Sequence, residues 1–80
     1  MKESQDAEKS IEAVLKLLKD NQHNDRWIEG EELDEASSDL GGRYVLNVLS
    51  DRGHEIKMRL GRTPGVVTFT WKYFGGPKAN

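Results

Sequence analysis

The chain has 80 residues, a formal net charge of −2 and no cysteine. That length gives room for one small domain with a modest core. The missing cysteines exclude disulfides and thiolate metal sites. No apolar run approaches the roughly 20 residues that cross a bilayer.

The residues from Met1 to Ser10 are polar and carry no apolar stretch of signal-peptide type. The expectation is a cytoplasmic protein with no membrane association. The small net charge hides an asymmetry. Residues 1–40 hold five Lys/Arg against twelve Asp/Glu, a balance of −7, and residues 41–80 hold seven against two, a balance of +5. Such a division fits either one acidic and one basic face or a simple segregation of charge by element.

Residues 1–9 read as a flexible, polar segment. Ile11, Val14, Leu15 and Leu18 then recur at helical spacing, with Leu17 widening the stripe, which predicts an amphipathic helix from about Asp6 to Asp20. Glu8 and Glu12 precede Lys16 and Lys19, an order that suits the helix dipole. Asn21 to Asp25 reads as a polar loop and Trp27-Ile28 as a short extended pair.

Glu31 to Ala36 predicts a short helix with Leu33 and Ala36 on one face. Ser37, Ser38 and Asp39 read as a turn, with Ser38 or Asp39 as the cap of the next helix. That helix is expected from about Leu40 to Arg52, with Val45, Leu46 and Leu49 in the core. Gly41 and Gly42 are poor helix residues and suit a first turn approached by another backbone. Gly53 stops the helix.

Beyond Gly53 the period becomes two. Ile56, Met58 and Leu60 alternate with charged residues, and Val67, Phe69, Trp71 and Tyr73 alternate with Thr68, Thr70 and Lys72. Two strands, His54 to Leu60 and Val66 to Phe74, are expected around a loop at Gly61 to Gly65. Because such a hairpin is unstable alone, its apolar face (Ile56, Met58, Val67, Phe69, Trp71) is expected to cover the helices. Trp27-Ile28 can add a short third strand.

The predicted fold is α+β, three helices with a C-terminal hairpin, in one domain over residues 10–75 with a tail at 76–80. At this point a resemblance enters. Trp27 to Leu33 (WIEGEEL) resembles the strand and following helix of winged helix-turn-helix repressors of the biotin-repressor type. Leu40 to Ile56 (LGGRYVLNVLSDRGHEI) resembles their recognition helix and the step into the wing, a step shared by small phage-type helix-turn-helix proteins. The resemblance spans residues 11–74. It implies a transcriptional regulator or phage-type accessory factor that binds double-stranded DNA. Helix 40–52 would lie in the major groove and loop 61–65 would act as the wing.

Carried over by position, Arg43, Tyr44 and Asn47 face outward from the recognition helix, with Arg43 and Asn47 four apart on one side. Arg suits guanine edges and Asn adenine edges, and either also suits phosphate. Arg52, Lys57, Arg59, Arg62 and Lys72 complete the expected nucleic-acid-binding set, the last three serving the wing. About four phosphate contacts would give a salt slope near −0.9 per contact.

Trp27, Phe69, Trp71 and Tyr73 alternate with polar residues, which reads as core rather than as a stacking platform. Thr68 and Thr70 suit phosphate but also simply favour a strand. The acidic run Glu29, Glu31, Glu32, Asp34 and Glu35 reads as a solvated helix face. The alternative function is a protein-interaction module that docks a basic partner through helix 31–36. Val48, left over on an apolar third helix, reads either as an exposed residue or as the contact of a homodimer. His23 and His54 are isolated, and no catalytic, phosphate-loop or metal-ligand spacing is present. The reading is therefore of a protein without enzymatic chemistry, metal or cofactor.

Overall fold

The computed structural model describes residues 2–77, and their side chains at 6–61 and 64–77. The elements run α1 (Lys2–Asp20), β1 (Ile28–Glu29), α2 (Gly30–Ser37), a 3-10 turn (Ser38–Leu40), α3 (Gly42–Asp51), β2 (Glu55–Thr63) and β3 (Val66–Gly75). The result is an α+β fold of three helices and a three-stranded antiparallel sheet in the order β1-β3-β2. No helix among the described residues is long and apolar enough to cross a membrane.

The helical stripe of α1 packs as its spacing predicts, with Ile11, Val14 and Leu18 buried. The helix starts at Lys2, earlier than its apolar pattern does. Its last turn is closed by backbone bonds from Asn21 and Gln22, and the Asn21 side chain donates to the Leu17 carbonyl. Leu33 from α2 and Val45, Leu46 and Leu49 from α3 meet this stripe, and Ile28 and Tyr73 close the core from the sheet. Val48, read as either exposed or a dimer contact, packs partly buried against this core.

Trp27-Ile28 does contribute a third strand, although the paired residues are Ile28 and Glu29, opposite Trp71 and Thr70. The capping of α3 differs from expectation. Neither Ser38 nor Asp39 caps it. Its first residue is Gly42, whose N–H donates to Oδ1 of Asp34, back on α2, at 2.8 Å. A Cβ on Gly42 would lie 2.8 Å from the Leu33 Cβ, so only glycine lets the two helices approach this closely.

The hairpin also departs from its pattern. Its strands extend to Thr63 and Val66, leaving a two-residue turn, Pro64-Gly65, in place of a five-residue loop. Gly65 has φ +79°, which suits the third position of a type II turn after proline. Opposed residues share a face, so Ile56 and Tyr73, Met58 and Trp71, and Leu60 and Phe69 form successive inward rows.

Only the base of that face covers helices. Tyr73 is buried, and Ile56 and Trp71 are partly buried against the core. Met58, Leu60 and Val67 are 53%, 57% and 73% exposed, and Phe69 is exposed as well. At about 3.3 Å per residue the strands of nine and ten residues run about 30 Å, whereas the ten-residue α3 spans about 15 Å, so the hairpin overhangs α3.

Candidate nucleic-acid interface

Helix α3 turns Val45, Leu46 and Leu49 inward, which leaves Arg43, Tyr44, Asn47 and Ser50 exposed. Arg43, Asn47 and Ser50 follow the 4-and-3 spacing of one helix side. They line one wall of a groove of about 250 Å³ whose other wall is Ile56, Met58 and Trp71 of the hairpin. The Arg43 guanidinium lies 6.0 Å from the Phe69 ring centre, at the outer limit of a cation–π contact. It has no carboxylate partner among the described residues. Tyr44, on a neighbouring side of α3, is 54% exposed.

Arg52, Lys57, Arg59 and Lys72 of the expected basic set do not join this face. Arg52 makes a bidentate ion pair with Glu8 of α1, so it closes the end of α3 onto α1. That hydrogen-bonded pair holds the Glu8 carboxyl below its usual range. The Lys72 ammonium donates to the carbonyls of Asn21, at 2.8 Å, Asn24 and Arg26. It fastens the loop between α1 and β1, and its three donors are fully used. Both residues thus have intramolecular partners that the sequence reading did not include, since it cannot see contacts 44 to 51 positions away.

Lys57 and Arg59 alternate with the inward rows and therefore stand on the outer face of the sheet, away from α3. Lys57 lies 3.7 Å from Glu55 and 4.7 Å from the Phe74 ring centre. Arg59 lies 4.1 Å above the Trp27 ring. Trp27 is thus not a core residue: Ile28 faces in, so its neighbour faces out. The Arg62 side chain lies outside the described residues, and its backbone pairs with Val67.

The acids of α2 are not merely a solvated face. Glu32 accepts the Glu29 N–H in a reciprocal capping box and is ion-paired with Arg26. Asp34 receives the Gly42 N–H. Glu31 and Glu35 remain exposed.

His54 and Tyr73 are hydrogen-bonded at 2.8 Å at the base of the hairpin. Partial burial, with Lys19 and Arg52 nearby, lowers the His54 pKa, and burial pushes the Tyr73 hydroxyl up. Neither borders the α3 groove. No group of three or more His, Asp or Glu among the described residues is arranged to hold a metal ion. Compared with known proteins, the chain matches no family model, no curated protein and no solved structure.

Proposed function

We propose that the chain is a winged helix-turn-helix domain that contacts duplex DNA through α3, with the hairpin as its wing. The element order and the β1-β3-β2 sheet support the winged-helix reading. The single observation that carries the DNA reading is Arg43 and Asn47 standing one turn apart, exposed, beside the hairpin. Arg forms bidentate pairs with guanine edges and Asn with adenine edges, and on a random sequence Arg43 takes phosphate.

The contact set is smaller than the basic composition suggests. Arg43, Tyr44 and Asn47 serve it, while Arg52 and Lys72 serve the fold. Binding therefore rests on few phosphate contacts and has a shallow salt dependence. The test is a titration with random-sequence duplex at low salt. Arg43→Ala weakens binding about tenfold, and an unchanged affinity rejects the proposal.

A second reading is a protein-docking winged helix that takes a basic partner on α2. It is favoured by the exposed apolar hairpin face, since Phe69 borders a groove with Glu29 and Glu31. A partner combining cationic and apolar side chains fits that groove. Reversing Glu31 and Glu35 together abolishes such docking. Glu32 is kept, because its loss would open the start of α2. Binding to duplex DNA that survives or improves in the reversed variant, with no effect on protein docking, counts against this second reading.

A further inference from the structure

The outer face of the sheet carries an unbroken strip of cations and aromatic rings that the α3 interface does not use. Arg59 on β2 reaches across β3 to lie 4.1 Å over Trp27 beside β1. Trp27 meets Phe74 edge-on, with ring centres 6.2 Å apart. Lys57 lies 4.7 Å over Phe74 on the other side. Phe74 is 43% exposed, and Lys57 and Arg59 are exposed. Thr68 and Thr70 border the strip, and at Gly61 a Cβ would collide with Thr68, which keeps the strip low on that side.

The geometry points to this outer face as a second binding surface, one for single-stranded nucleic acid. An aromatic ring and a guanidinium plane each accept a stacked base, whatever its identity. Lys57 and Arg59 supply the positive charge that follows a phosphate backbone. A duplex has its bases stacked on one another and cannot use the strip in this way. The hairpin alternation puts the strip on the opposite side of the sheet from the Arg43 groove, so the two surfaces are separable by mutation.

The probe is a twelve-nucleotide oligothymidylate titrated at low salt against the Trp71→Phe chain, in which fluorescence reports Trp27 alone. The expected result is saturable quenching that weakens as salt rises. Arg59→Gln and Phe74→Ala each lower affinity by about fivefold or more, and Arg43→Ala leaves it unchanged. Circular dichroism confirms that the Trp71→Phe background, altered at a partly buried position, and the further variants, altered at exposed positions, keep their fold. Absence of quenching overturns the inference. So does insensitivity to Arg59→Gln, or equal quenching by a duplex of the same length. Loss of oligothymidylate binding in Arg43→Ala would place the strand in the α3 groove and overturn it as well.

Discussion

Asp34 and Gly42 are eight residues apart, and the Asp34 carboxylate accepts the Gly42 N–H at 2.8 Å. This bond ties the middle of α2 to the first turn of α3 and sets the angle at which Arg43, the next residue, is presented. The glycine is required by the same closeness, because a Cβ would strike Leu33. Asp34→Ala is expected to lower stability by about 1 kcal/mol, the usual cost of a lost helix cap. Gly42→Ala is expected to cost about 1–3 kcal/mol through overpacking. Thermal unfolding checks both, at about 4–8 °C per kcal/mol for a domain of this size. A Gly42→Ala protein as stable as wild type would contradict the contact.

Lys72 and Arg52 give the sharpest separation of fold from interface. Lys72→Ala strips three carbonyls of their donor and is expected to cost about 1.5–3 kcal/mol. Its affinity for duplex DNA, measured below the unfolding temperature, should stay within about twofold of wild type, since no phosphate contact is lost. Arg52→Gln should likewise leave DNA affinity unchanged, with a small effect on stability because the Glu8 pair is exposed. A large loss of DNA binding in either variant would restore that residue to the interface.

His54 makes the fold sensitive to pH. Its pKa in the folded chain is depressed by burial, Lys19 and Arg52, so the unfolded chain binds a proton more readily. Stability is thus greatest above the ordinary histidine value of 6.5 and is lost as pH falls through the depressed folded value. Chemical unfolding between about pH 7.5 and pH 5 should show this decline, and His54→Gln should flatten it. A variant with the wild-type pH profile would assign the decline to other groups.

The overhanging hairpin predicts uneven tolerance along one face. Val67→Thr and Leu60→Thr, near the tip, should change stability by no more than about 0.5 kcal/mol. Leu49→Ala, fully buried, should cost about 2–5 kcal/mol. Equal costs at Val67 and Leu49 would mean that the distal hairpin is covered in solution.

The elements that local spacing marks were legible in the sequence. The Ile11, Val14 and Leu18 stripe, the alternation through Ile56 and Tyr73, and the short strand at Ile28 all appear in the structure where the periodicity puts them. Alternation fixes which residues share a face but not how far helices extend beneath it. That is why Met58, Val67 and Phe69 read as covering the helices and stand exposed. The partners of the basic residues were not legible for a related reason. Composition counts charges but does not show that Arg52 and Lys72 meet Glu8 and loop carbonyls far away in the chain. Trp27 was grouped with the core rings by alternation, although Ile28, next to it, takes the inward position. The placement of Arg43 and Asn47 on one exposed side of α3 was legible because a four-residue spacing on one helix needs no tertiary information.

In the proposed function Arg43 on α3, and not the basic residues elsewhere, carries duplex binding. The most direct measurement is the affinity of wild type, Arg43→Ala and Arg52→Gln for one random-sequence duplex across a salt series. The predicted result is a wild-type slope of log affinity against log salt of about −1 to −2, with Arg43→Ala about tenfold weaker and its slope shallower by about 0.9, and with Arg52→Gln matching wild type. Three superimposable salt curves, or no measurable duplex binding at low salt, would contradict it.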